Sequence, residues 1–286
     1  MAEVFAPVCD CAGSAVALDQ GTAPLVSVSV VSHGQAALVQ ALLNDLQQYA
    51  GNVALEVLLT VNIPESLPVG LAQLPFPVRL IHNTKPLGFG QNHNRAFAQA
   101  SGVYFCVVNP DIRMHQVVLP ELLAVLADAT IGVAAPLVVN SRGEVEDSAR
   151  LFPSPLKILR KALGRRSKPD YVITAELLAP EWVGGMFMVF RHAVYRQIGG
   201  FDEKYFLYYE DVDLCARLWL RKLQVVLVPQ ARVVHDAQRS SHRKLQYLQH
   251  HLGSMLQFFL SPVYWRARYL RKTLSKNSRT YPGRTG

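Results

Sequence analysis

The sequence predicts an α/β domain built on a mainly parallel sheet with helices on both faces. Two observations carry that reading. Several short runs are continuously apolar and β-branched, as strands buried on both faces are. Strand-like and helix-like segments also alternate along the chain. Half of the 286 residues are hydrophobic and 17% are charged, which supplies a large core and argues against a disordered chain.

In order, residues 25–31 (LVSVSVV) read as the first buried strand and residues 35–49, apolar at helical spacing, as a helix. Residues 55–61 and 78–81 read as strands. Residues 91–100 form a helix ended by Ser101-Gly102, and residues 103–108 (VYFCVV) a fourth strand. A helix over 119–128, strands over 132–139 and 186–190, and a helix over 211–221 follow. Residues 225–229 and 232–235 are extended pieces. Residues 241–260 look like an amphipathic helix, and 276–286 a disordered end.

This divides the chain into an N-terminal tail (1–24), a body (25–240) and a helical basic extension (241–286). The tail carries Glu3, Asp10 and Asp19 and no basic start before an apolar run, unlike a signal peptide. The apolar stretch 119–139 holds Glu121, Asp128 and two prolines, so it makes a poor membrane span. A cytoplasmic location is expected. Cys9, Cys11, Cys106 and Cys215 lack metal-ligand spacing and are expected to be reduced thiols.

The net charge of +8 is uneven. Residues 237–286 hold ten Lys or Arg and no Asp or Glu, so the remainder is slightly acidic. Lys157, Arg160, Lys161, Arg165, Arg166 and Lys168 form a second basic cluster. Cations confined to a tail and a loop, without an RRM, KH or zinc-finger pattern, speak against nucleic-acid binding. Mixed with Phe258, Tyr264, Trp265 and Tyr269, the tail cations suit peripheral association with an anionic membrane; a solvated basic tail is the plainer alternative.

Ligands of such sheets bind beyond the strands' carboxyl ends. That singles out Ser32-His33, Asn62, residues 83–90 and residues 109–111. Asn109-Pro110-Asp111, after an apolar strand, sets a carboxylate in a stiffened turn where a divalent metal on phosphate oxygens would sit; it could equally cap a turn. In NTKPLGFGQNHNR (83–95), Gly88 and Gly90 would let backbone approach a ligand, and the following helix would offer N–H groups to an anion. An ordinary glycine turn is the alternative, and neither a P-loop nor a GxGxxG fingerprint is present. Trp182-Val183-Gly184-Gly185 leads through IGGFD to YYEDVD, where Glu210, Asp211 and Asp213 open a helix behind aromatics. Its dipole alone would favour acids there. Yet three acids exceed what one cap needs, and aromatic walls beside a carboxylate suit sugar binding. His235 ends an extended run, where a lone histidine is usually structural.

Taken in order, SVVSHG, NTKPLGFGQNHNRA, NPD, VGGMFMVFR, IGGFDEKYFLYYEDVDLCARL and ARVVH resemble the family 2 inverting glycosyltransferases of the Rossmann-like GT-A fold. The likeness runs over residues 25–235 and is greatest to bacterial rhamnosyltransferases of cell-surface polysaccharide assembly, such as lipopolysaccharide. It implies Asp111 as the surviving acid of the metal motif, with Asn109 in place of the first, and His235 completing the shell around Mg²⁺ or Mn²⁺. It implies Asp211 as general base, with Glu210 orienting the acceptor. Ser32, His33, Asn62, Asn83, Gly88, Gly90, Asn94, Asn109 and Asp111 would face the donor, and Trp182, Gly184, Gly185 and Tyr209 the acceptor. Relatives carry an Asp that contacts base or ribose where this chain has Asn62, whose amide can still hydrogen-bond a pyrimidine. The implied donor is dTDP-rhamnose, with UDP-galactofuranose or another UDP-hexose as alternative. The implied acceptor is a saccharide, lipid-linked in one reading. A non-catalytic nucleotide-sugar-binding relative is the rival. A nucleotidyltransferase is disfavoured because SVVSHGQAA carries no Lys or Arg.

Overall fold

The computed structural model describes residues 25–155, 157–158, 169–235 and 244–277. Cys9, Cys11, most of the 157–168 basic cluster and the chain end beyond 277 lie outside the described residues.

Among the described residues the central sheet has eight strands, numbered along the chain and ordered β3-β2-β1-β4-β9-β6-β10-β5. β1 (Val26–Ser32), β2 (Leu55–Val61), β3 (Val78–His82) and β4 (Tyr104–Val108) are mutually parallel. Period-two alternation sends Val26, Val28 and Val30 to one face, against Val39, Leu42, Leu43 and Leu46 of α1 (Ala36–Tyr49). Phe105 and Val107 point to the other. On that second face β1 presents Ser27 and Ser29, both buried. Their small side chains let α2 (Phe89–Phe97) come close: Ser29 Oγ lies 2.8 Å from His93 Nδ1.

The sheet is mixed, not simply parallel. β5 (Ile112–Arg113) precedes α3 (Leu119–Val125) and β6 (Ile131–Val139), and the mutually antiparallel strands β7 (Ala149–Arg150) and β8 (Trp182–Val183) come next. β9 (Phe187–Arg191) then enters antiparallel between β4 and β6. A strand apolar on both faces carries no mark of direction, so FMVFR could not disclose this. After α4 (His192–Ile198) and α5 (Glu210–Leu220), the two extended pieces of the sequence form one strand, β10 (Gln224–His235). It pairs parallel with β6, and the register slips between Val228 and Arg232. Pro229 sits in that slip, where a strand tolerates a residue without an N–H.

Helices α6 (Lys244–Leu260) and α7 (Pro262–Asn277) fold back on the domain. Phe258, Tyr264 and Ala267 are buried in the same core as Leu214 and Leu218 of α5. Arg271 pairs with the buried Glu181 at 2.8 Å. None of the described helices is long and apolar enough to cross a membrane. Cys106 and Cys215 are buried free thiols, and burial raises the pKa of both.

Candidate active site

The site starts from a two-residue strand. β5 pairs antiparallel with β10, setting His235 opposite Ile112 and therefore beside Asp111. His235 Nε2 lies 3.2 Å from Asp111 Oδ2, and His235 Nδ1 lies 2.8 Å from Glu146 Oε2. The hydrogen bond to Asp111, then the charges of Asp111 and Glu146, outweigh burial and lift the His235 pKa to about 9. The second Asp111 oxygen is buried with no hydrogen-bond partner. An orphaned buried carboxylate oxygen costs stability unless something else satisfies it.

Asp111 and His235 would offer one carboxylate and one imidazole nitrogen once a metal displaces the proton that the raised pKa keeps on His235. That fits Mg²⁺ or Mn²⁺, which take their other ligands from phosphate and water. Glu146 sits on the opposite ring nitrogen, so the two carboxylates do not converge on one point through the imidazole. Accordingly, no three His, Cys, Asp or Glu form a ready metal cage among the described residues.

The same loop reaches the acid helix through one turn. The Asn109 N–H donates to Met186 O at 2.9 Å. One residue earlier, the Gly185 N–H donates to Asp211 Oδ2 at 3.0 Å. The turn packs closely: a Cβ at Gly185 would lie 3.3 Å from the Phe89 ring, which would have to give by a few tenths of an ångström. The other oxygen, Asp211 Oδ1, accepts from the Val212 N–H at 2.8 Å. These bonds fix the carboxylate and leave lone pairs on both oxygens.

The three acids of YYEDVD divide their work. Asp213 is buried and bonded to Arg217 at 2.7 Å, so it ties the helix together. Glu210 is buried, with one oxygen unpartnered. Burial, then the charge of Asp211, raises its pKa well above normal. Burial also raises Asp211, against the pull of its backbone hydrogen bonds. Tyr208 and Tyr209, just before them, both have φ of 69°. Bulky residues in the left-handed region are strained, and such strain gathers at functional sites.

The donor-side residues behave less as the sequence suggested. Asn62 uses its whole amide internally. Nδ2 donates to His33 Nδ1 and Leu87 O, and Oδ1 accepts from Asn83 Nδ2 and the Leu87 N–H, all between 2.8 and 3.1 Å. Asn83 also donates to Asn92 and accepts from Arg95. The result is a saturated amide network that shapes the 83–88 loop. Gly88 and Gly90 are small for packing: a Cβ at Gly88 would meet Phe206 O at 2.7 Å, and one at Gly90 would meet Phe201 Cβ at 2.5 Å. The helix begins at Phe89, whose N–H donates to Phe206 O and so is not offered to an anion. Asn94 spends its amide on Phe201, Tyr195 and Glu203. Ser32 Oγ accepts from the Gln35 N–H at 3.3 Å as α1 begins.

On the acceptor side, Gly184 N–H donates to Ser148 O at 2.9 Å, and Arg150 pairs with Trp182 across β7 and β8. The Arg150 guanidinium lies 5.5 Å from the Trp182 ring centroid and 2.9 Å from Asp147. Burial raises the pKa of both Asp211 and Tyr209, and the Arg150 charge pulls weakly against it. Tyr209 is buried against Phe258 and His251. A cavity of about 400 Å³ lies off to one side, lined by Arg113, His115, Asn140 and Val234 among others, and none of the candidate site residues.

Residues 65–196 match the family described as Glycosyl transferase family 2. Over that stretch, just under half of its length, the chain is similar to the family 2 glycosyltransferases. Residues 172–243 match a second description, N-terminal domain of galactosyltransferase. The chain is 32% identical to the N-acetylglucosaminyl-diphospho-decaprenol L-rhamnosyltransferase of Mycobacterium tuberculosis (strain ATCC 25618 / H37Rv), with 58% of this chain and 61% of that protein covered. It therefore spans about three fifths of that relative's length. It is 27% identical to Rhamnosyltransferase WbbL of Escherichia coli (strain K12), over 74% of this chain and 84% of that one. The solved mannosyltransferase PcManGT from Pyrobaculum calidifontis, in complex with GDP-Man and Mn²⁺, superposes with a TM-score of 0.56 at 16% identity, covering 93% of this chain and 79% of that one. The fold is GT-A.

The sequence did not single out Glu146 or Arg150, nor the separate parts that Asn92 and Phe89 play within residues 83–95. Only contacts between distant segments reveal them. The Asn62 network makes a direct prediction. Asn62→Asp sets a carboxylate oxygen against Leu87 O and is expected to cost about 1–3 kcal/mol of stability, measured by thermal or urea unfolding. An unchanged melting temperature would show that the amide is not held as described.

Proposed function

We propose that this chain is an inverting, metal-dependent glycosyltransferase. It moves a sugar, L-rhamnose from dTDP-rhamnose in the first reading, onto a lipid-linked saccharide during bacterial cell-surface polysaccharide assembly. One observation carries the reading. The turn at residues 184–186 is hydrogen-bonded to the Asn109-Pro110-Asp111 loop on one side and to Asp211 on the other, which supports a diphosphate loop and a base acting on one substrate. The names of the mycobacterial and enterobacterial relatives supply the sugar, and the mycobacterial one supplies the diphospholipid acceptor. The basic extension would hold the enzyme at an anionic membrane surface, where such an acceptor resides.

Asp111 and His235 would hold the divalent ion, which when bound offsets the negative charge of the departing diphosphate. Asp211 takes the proton of the acceptor hydroxyl as that oxygen attacks the anomeric carbon. The new carbon–oxygen bond forms on the face opposite the diphosphate, whose bond to the sugar breaks, so configuration inverts. Glu210, behind Asp211, is kept protonated by burial and by its neighbour's charge; a neutral acid there spares the base a second negative charge.

Asp211→Asn is expected to lower kcat by about 10²–10⁴-fold with donor affinity unchanged, and Asp111→Ala to weaken donor and Mn²⁺ binding instead. Single-turnover assays with calorimetric donor titrations separate the two; near wild-type turnover by Asp211→Asn overturns the assignment of the base. The pH profile gives a second check. The base acts only as a carboxylate, and burial raises its pKa. The acidic limb of kcat should therefore fall at higher pH than an ordinary aspartate allows, and a limb at the ordinary value removes the buried base. Arg150, over the Trp182 ring, is placed to take an acceptor phosphate. Arg150→Ala should raise KM about tenfold for a diphosphate-linked acceptor while sparing a neutral glycoside. Equal KM changes for both acceptors would exclude a phosphate contact.

The galactosyltransferase match favours one second reading, a UDP-hexose donor. Transfer assays across dTDP- and UDP-sugars with Mn²⁺ decide between them.

A further inference from the structure

The two C-terminal helices have apolar side chains on both sides. The inner side is used: Phe258, Tyr264 and Ala267 are buried, and Ser254 Oγ donates to Leu207 O at 2.8 Å. The outer side of α6 carries Leu248, Leu252, Leu256 and Leu260, four residues apart and 52, 49, 58 and 71% exposed. α7 continues with Trp265 and Tyr269, 55 and 72% exposed. A surface helix of a soluble domain ordinarily turns polar residues outward. A ridge of leucines at helical spacing, followed by exposed aromatics, marks an interaction face.

We infer that this ridge docks the enzyme on the surface of an anionic phospholipid membrane, with α6 and α7 lying along it. Charge complementarity selects the occupant. The segment 237–286 holds ten Lys or Arg and no Asp or Glu, and Arg266 and Arg268 are exposed beside Trp265. A second copy of the chain would bring the same cationic segment against this one and be repelled. An anionic surface gains from both the cations and the leucines. The helices would lie on the membrane, since none of those described is long and apolar enough to cross it.

The placement serves the proposed acceptor and in that purpose rests on the reading above. Phe206 stacks on His250 of α6 with ring centroids 4.9 Å apart, and Arg271 of α7 holds Glu181, the residue before Trp182. The docked helices therefore sit directly on the segments that flank the acceptor side of the cleft.

The test uses the full chain and vesicles of phosphatidylcholine with or without phosphatidylglycerol. The wild type should float with the anionic vesicles, and less so with neutral ones or in high salt. The variant Leu252→Ser/Leu256→Ser/Trp265→Ser changes only exposed side chains. It should keep the wild-type melting temperature and its transfer to a water-soluble acceptor, yet bind anionic vesicles at least about tenfold more weakly. Equal flotation by variant and wild type overturns the inference. So does a wild-type dimer in light scattering that the same substitutions convert to monomer, which would make the ridge a self-association face. Flotation needs no catalysis and the soluble assay needs no membrane, so failure of this inference and failure of the proposed activity are distinguishable.

Discussion

The antiparallel pairing of Ile112-Arg113 with the end of β10 is the constraint on which the cleft depends. It joins distant parts of the chain: a strand that closes near residue 235 is laid beside a loop more than a hundred residues earlier. Without it Asp111 and His235 have no reason to meet. The second clasp is the turn at residues 184–186, one backbone group of which holds the Asn109 loop and another the Asp211 carboxylate. Both clasps use backbone hydrogen bonds. Backbone positions the chemistry here and leaves the side chains free to perform it.

Charge and burial act together at the acid pair. Two adjacent carboxyls drawn into the interior cannot both ionise cheaply. The helix start stabilises negative charge, and two backbone N–H groups serve Asp211, whereas Glu210 keeps an unpartnered oxygen. The environments are unequal: backbone N–H groups oppose the rise at Asp211, while burial and its neighbour's charge both raise Glu210. Arg150 adds a cation on the solvent side, biasing the pair the same way.

Much of the fold was legible in the sequence because buried strands and amphipathic helices leave periodic marks. Residues 55–61 are a strand with the predicted bounds, and Val26–Ser32 lies within one residue of them. The direction of β9 left no mark, because FMVFR is apolar on both faces in either orientation. The two-residue strands β5, β7 and β8 are too short to show a period, yet they carry Arg150, Trp182 and the link to His235. Asp111 and Asp211 stood out by motif, and the structure sets Asp111 beside His235 and Asp211 on the Gly185 N–H. Gly88, Gly90, Asn62 and Asn94 are different: the same letters that would suit a ligand are occupied by Phe206, Phe201 and the asparagine network. Glycine and asparagine are permissive residues, and a sequence cannot say whether the space they leave is filled by a substrate or by the protein.

The strained turn before the acids explains why the C-terminal helices matter to the cleft. Tyr208 and Tyr209 in left-handed conformation cost on the order of 1–3 kcal/mol each, and such strain persists only when packing over-determines it. The packing comes from α6. Tyr208 and Tyr209 both meet His251, Tyr209 meets Phe258, and Leu207 O is held by Ser254. The turn in its strained form leads into the helix start that brings Asp211 to the Gly185 N–H. A helix pair that clamps this turn from one side and offers leucines from the other therefore joins the geometry of the base to whatever the outer face rests on.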